Sequence, residues 1–162
     1  MVGPEHGPAA PDALVELAER VNAQLDRALE EASLAWVAAN FEDVKVGTQR
    51  VLNVLVGQDS ADYSPIEGST SDVVGALDNI MMLKLELEQT PWADFAVTAD
   101  AMMTFVNWAR VNAKAVLTMA DEEAARTEAH KAEAFLRAAL GCGEALPTNG
   151  GAKTILEALR TR

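Results

Sequence analysis

An apolar stripe steps through Leu14, Ala18, Val21, Leu25, Ala28, Ala32, Ala35 and Ala39, at alternating intervals of four and three residues. That spacing keeps one face of an α-helix apolar along its whole length, and it fits no strand, whose side chains alternate every second residue. The second half of the stripe is alanine. A helix packed there must approach closely, because no side-chain bulk holds the two backbones apart.

Helical spacing also fills nearly all of the remaining sequence, with neither strand-like alternation nor a repeat of fixed period. A length of 162 residues suits one domain with a real core. The expected organisation is a disordered Pro- and Gly-rich tail over 1–11 followed by a single helical domain over 12–162. The first helix should start at Asp12, whose side chain can cap the free amides of the first turn, and should run to about Ala39. From Val44 the apolar positions shift phase to Val44, Val51, Leu52 and Leu55. The run from Asn40 to Asp43 reads as a cap and an acidic first turn, which places a break there.

The second helix should stop at Gly57, and the Gly, Pro, Ser and Asp content of 57–72 marks a loop. A third helix is expected over about 72–89. Thr90-Pro91 is a stop and restart, with Pro at the first position of a fourth helix over 91–119. Phe95, Ala99, Met102, Met103, Val106, Ala109, Ala113, Val116 and Leu117 make that fourth helix apolar over half its circumference, as befits a central helix. Asp121-Glu-Glu opens a fifth helix, ended by Gly141 and Gly143, and a short sixth covers 152–160. Short connections imply antiparallel neighbours. The expected fold is an all-α, up-and-down bundle of four to five main helices closed by a short C-terminal one.

The excess of 25 acidic over 13 basic residues gives a net charge of −12, which repels phosphate backbones and anionic lipid. Nucleic acid is therefore not an expected partner. No apolar run is long enough to cross a bilayer, so membrane insertion is not expected either. Residues 1–11 carry neither a basic start nor an apolar run, so a cytoplasmic location is the simplest expectation. A chain whose leader had been removed would look the same, which leaves an extracytoplasmic location as the alternative.

Catalytic constellations are sparse. Two-metal bundle enzymes place Glu-x-x-His pairs on inward faces, and this sequence has none. His130 lies opposite the face made by Ala125, Ala132 and Leu136, so it should meet solvent, and His6 falls in the tail. That leaves no histidine for a Ser-His-Asp or Cys-His mechanism. The single cysteine, Cys142, excludes an internal disulfide and Cys-based metal sites, and no basic neighbour is evident to activate it. Met81, Met82, Met102, Met103 and Met119 fit core filling better than metal ligation, which usually adds His or Cys. No cofactor is expected.

Two polar features remain. On the third helix Lys84 falls within the arc of Val73, Leu77 and Ile80, with Glu88 one turn later on the same face. Near the helix end the two can pair in water; buried, they would line a pocket. On the fourth helix Asp94, Thr98 and Asn112 follow the margin of the apolar arc, although the helix dipole alone accounts for Asp94. The loop 57–72 gathers Asp59, Asp62, Glu67 and Asp72 around Tyr63, at spacings that differ from those of an EF-hand. Solvated charge accounts for it.

The run RVLNVLVGQDSADYSPIEGSTSDVVGAL resembles a segment of helical modules in some bacterial envelope-associated proteins of unassigned function. The positions that carry the resemblance are Asn53, Gly57, Tyr63, Gly68, Asp72 and Gly75. Such modules tend to carry histidines just before this segment, where Gly47 and Arg50 stand here. The resemblance implies an extracytoplasmic protein, and the missing histidines speak against a metal.

The first functional expectation is a non-enzymatic binding or interaction module, with a homodimer formed through Ala28, Ala32, Ala35 and Ala39. The alternatives are a small-molecule-binding bundle with its pocket between helices 72–89 and 91–119, and a metal-free enzyme using carboxylates and Lys84. The ligand-binding candidates are Lys84, Glu88, Asp94, Thr98, Asn112 and Tyr63. An interior cavity would favour the alternatives, and a solid core the module.

Overall fold

The computed structural model describes residues 9–67, 72–141 and 150–161. Within them the chain forms six α-helices and no strand: α1 Asp12–Ala35, α2 Phe41–Val56, α3 Ala76–Glu88, α4 Ala96–Thr118, α5 Glu122–Leu140 and α6 Ala152–Arg160. A 3-10 turn at Ala93–Phe95 leads into α4. The protein is an all-α bundle. Most of the tail 1–11, together with Gly68, Cys142 and Gly143, lies outside the described residues.

Helix boundaries follow local chemistry, with four departures from the expected ones. Pro11 holds the N-cap position of α1, so Asp12 is the first helical residue and meets the positive end of the helix dipole without capping it. The helix then ends at Ala35, because the break comes one turn before the apolar spacing runs out. The break itself falls where Asn40 predicts it: the Asn40 side chain accepts a hydrogen bond from the Asp43 amide at 2.9 Å and starts α2. Helix α3 begins only at Ala76, since 72–75 serves as an extended connection. Pro91 precedes α4 in the turn and is not its first residue.

The α1 stripe enters the core, where Leu14, Ala18, Val21, Leu25, Ala28, Ala32 and Ala35 are all buried. Their alanine half is covered inside the chain. A Cβ added at Gly47 of α2 would sit 2.9 Å from the Ala35 Cβ, so these two helices touch at nearly backbone distance. This corrects the expected dimer surface: Ala28, Ala32 and Ala35 are occupied by the protein's own core, and Ala39 alone is exposed, in the α1–α2 connection. Helices α4 and α5 pack most extensively on each other, and α1 touches α2, α3, α5 and α6. A smaller apolar cluster, Val44, Val116, Ala125 and Ala129 under Trp36 and Phe41, closes one end.

Candidate functional site

Lys84 reaches across from α3 to α4, where its Nζ lies 2.8 Å from Asp100 Oδ1; Glu88 Oε1 on its own helix is 3.8 Å away. The expected i, i+4 partner is thus the secondary one. The hydrogen bond to Asp100 holds the ammonium pKa above its ordinary value, although partial burial works against it. The other candidates do not gather around this pair. Asp94 and Thr98 border a shallow, open depression beside Val97, whereas Asn112 lies about 21 Å farther along α4 at the helical rise. Asp94 is exposed and Thr98 buried.

The loop after α2 is pinned by buried polar groups. Asn53 Nδ2 donates to the Ser64 carbonyl at 2.7 Å, while its Oδ1 accepts from the Ser64 amide at 3.0 Å and from Gln49 Nε2 at 2.9 Å. Gly57, with φ of +76°, lies directly against the backbone of Gly75, and Gln58 N donates to Val73 O across this crossing. A side chain at either glycine would collide with main chain. On the far side Asp62 accepts from Arg110 at 2.6 and 3.1 Å and lies 2.8 Å from Lys114 Nζ, which together hold its carboxyl below the usual range. Tyr63 sits half-buried within this clamped loop.

A cleft of about 270 Å³ opens between this loop and α3, lined by Val56, Val73, Leu77, Asp59, Asp78 and Arg110. Its one cation is already engaged by Asp62. Among the described residues no group of three His, Cys, Asp or Glu side chains converges as a metal site. Elsewhere Gln24 of α1 donates to Asp72 at 3.0 Å and to the Val74 carbonyl at 2.9 Å, and accepts from Asn79 at 2.8 Å, which ties α1 to the start of α3. Asn53, Gln24 and Asn79 are almost wholly buried. These polar groups hold the loop in place.

At the α1–α5 contact Glu133 is only 5 % exposed. Burial raises its pKa, but hydrogen bonds from Arg137 at 2.6 Å and Ser33 at 2.9 Å, with the Arg137 charge, outweigh this and leave the group below its ordinary value. Its second oxygen, Oε2, faces His130 Nε2 at 3.8 Å and has no hydrogen-bond partner. His130 is exposed, as its position predicts, and its ring stacks on Trp36 at 4.2 Å. Ser33 and His130 both address Glu133, and no relay from serine to histidine forms.

The outer surface of α4 stands apart from these satisfied networks. Val97, Trp108 and Val111 are 60, 48 and 62 % exposed, and with Ala101, Thr104 and Ala115 they repeat the four-and-three spacing along the helix. No charged residue occurs in this second stripe. The Trp108 indole is braced from one side by Phe105 at 5.8 Å and Phe135 of α5 at 5.2 Å, so it projects in a fixed orientation. Sequence reasoning missed this face by reading α4 as a central helix with a single apolar arc. The signal was there in the alternation of Val97, Thr104, Trp108 and Val111.

No protein-family model, curated protein or solved structure matches this chain. A functional reading therefore rests on the geometry above.

Proposed function

We propose that this protein is a non-enzymatic binding module that docks a protein partner on the outer face of α4, with Trp108 as the anchor. The observation that carries the reading is the uncharged, exposed seam of α4 on a chain of net charge −12. The exposed face of α1 carries charges at Glu16, Glu19, Asp26 and Glu30, and the exposed Met81, Met82 and Leu85 of α3 stand among Lys84, Glu86 and Glu88. Contiguous exposed apolar surface on a soluble bundle marks interaction sites. A rigidly held tryptophan is the residue type that most often dominates interface energy.

The large side chains within the bundle are fully buried, among them Leu25, Leu52, Leu55, Ile80, Met102 and Leu136. The clefts described, of 270–420 Å³, open to solvent, whereas small-molecule sites usually enclose most of their ligand. Both observations favour a module over a ligand-binding pocket or an enzyme. The reading is tested by placing a photo-crosslinking amino acid at Val111, or at Glu16 as control, in protein expressed in its own host. Cross-linked species specific to Val111 are expected. Equal or absent cross-linking at the two positions would overturn the docking face.

A further inference from the structure

We infer that His130 and Glu133 form a pH-sensitive latch, which fastens α5 to the end of α1 when the imidazole takes up a proton. This latch makes no use of the α4 face. Its origin is an imbalance at the Glu133 carboxylate, where Oε1 receives Arg137 Nη2 at 2.6 Å, Arg137 Nε at 3.2 Å and Ser33 Oγ at 2.9 Å. Oε2 is buried and receives no hydrogen bond. Buried polar atoms are almost always paired, and the group placed to complete this one is His130 Nε2, 3.8 Å away and roughly 1 Å beyond a charge-assisted bond. Neutral imidazole has one proton for two ring nitrogens, so it offers Oε2 a donor in one tautomer only and without charge. Imidazolium donates from both nitrogens. The His130 side chain is 59 % exposed, so the ring can close that distance without disturbing the core.

Trp36 sets what the latch fastens. It is the C-cap residue of α1, and the His130 ring lies on its indole with centroids 4.2 Å apart and planes 25° from parallel. A cation in that position is attracted by the indole face. Arg126, one turn before His130 on α5, already donates to the Trp36 and Ala38 carbonyls at 2.9 and 2.7 Å, and protonated His130 adds a second hold on the same end of α1. The other charges nearby are committed. On α5, Arg126 pairs with Glu122, Arg137 with Glu133 and Lys131 with Glu128. α1 contributes Ser33 and, one turn earlier, the exposed Glu30, while Lys45 of α2 lies over the Phe41 ring. Burial raises the Glu133 pKa, but the hydrogen bonds from Arg137 and Ser33, with a smaller one from Trp36, outweigh it and keep the group ionised where histidines titrate. Only the folded chain offers Oε2 to the imidazolium, so the added stability is present below the histidine range and is lost as pH rises through it. Mild acid closes the latch.

The test is a double-mutant cycle on the full chain, read by urea unfolding at about pH 5.5 and about pH 8, on either side of the histidine range. The variants are His130→Gln, Glu133→Gln and the two combined. Positions 130 and 133 should be favourably coupled at the lower pH, and most of that coupling should be lost at the higher one. His6→Gln should follow the wild type at both. Coupling that is equal at the two pH values or absent from both, or a pH response that disappears with His6, would overturn the inference. A second readout leaves Glu133 untouched. In Trp108→Phe protein, where the remaining tryptophans are Trp36 and the buried Trp92, acidification over the same range should quench the emission as imidazolium forms against Trp36. His130→Gln should abolish the quenching. Quenching that survives this substitution, or none while His130 is present, would sink the latch.

Discussion

Gly47→Ala is a sensitive probe of the α1–α2 contact, because two effects of similar size oppose each other there. In an unobstructed helix interior the change stabilises by about 0.8–1 kcal/mol through propensity alone. Here the new Cβ would lie 2.9 Å from the Ala35 Cβ and 3.1 Å from its Cα, well inside the 3.5–4.0 Å at which carbon atoms attract. Neither atom belongs to a flexible side-chain tip. Relief requires the two helices to part near the connection capped by Asn40, and such overpacking costs about 1–3 kcal/mol. The clash should win, leaving the variant less stable by about 0.5–2 kcal/mol, or roughly 2–6 °C in Tm for a chain of this size.

Urea unfolding followed by helix circular dichroism measures the effect, and a double-mutant cycle isolates its cause. Ala35→Gly alone loses a buried methyl group and some helix propensity, at about 1–2 kcal/mol. Combined with Gly47→Ala it exchanges which helix supplies the methyl and removes the clash. The two changes should then be coupled favourably by at least about 0.5 kcal/mol. A Gly47→Ala variant that gains the full propensity increment, or a double variant that is simply additive, would show that α1 and α2 do not meet at this point.

Asn53→Ala should cost about 1–3 kcal/mol, from three hydrogen bonds worth about 0.5–1.5 kcal/mol each net, less what water recovers at Ser64; proteolysis within 58–67 should accelerate, and an unchanged cleavage rate would count against Asn53 as the pin. Glu133 has its pKa depressed in the folded state, so its contribution is present above the unfolded value, near 4.5, and fades as pH falls through the folded one. Glu133→Gln should therefore lower Tm at neutral pH and flatten its decline in acid, and parallel acid limbs for the two proteins would contradict this. Lys84→Met should leave the denaturation midpoint close to that of the wild type at neutral pH, because Asp100 and Glu88 both retain access to water; a large loss would mean that these carboxylates depend on the ammonium.

The all-α fold was legible because helix spacing is redundant: each apolar position in α1 predicts the next, and Asn40, Gly57, Asp121 and Gly141 punctuate the chain with local chemistry that no distant contact needs to confirm. Long-range polar pairing was not legible. Lys84 and Glu88 are neighbours by helical geometry, but the shorter bond runs to Asp100, whose proximity depends on how α3 lies against α4. Asn53 shows the same limit. Its carboxamide meets Ser64 only because the chain doubles back past Gly57, and a buried asparagine and a solvated one look alike in the sequence. Gln24 and Asn79 border apolar stripes and could have been marked as interior polar residues, yet that position alone does not show that they bind each other.

The two stripes of alternating four-and-three spacing carry the sharper lesson, since one signal has two outcomes in the same molecule. Spacing shows that a helix face can be covered, and it does not say which molecule covers it. In α1 the alanines are buried within the chain's own core, and at Ala35 the backbone of α2 comes close at Gly47. In α4 the residues Met102, Val106, Ala109 and Ala113 already satisfy the core, so Val97, Trp108 and Val111 are left over on the opposite side. Side-chain size separates the two cases. Alanine suits a neighbour that the connecting chain delivers at short range, whereas tryptophan and valine alternating with alanine and threonine provide knobs and spaces for a surface that arrives separately. A helix with two such faces on opposite sides cannot bury both inside a single bundle layer, and this is the physical reason to seek the cover of α4 outside the chain.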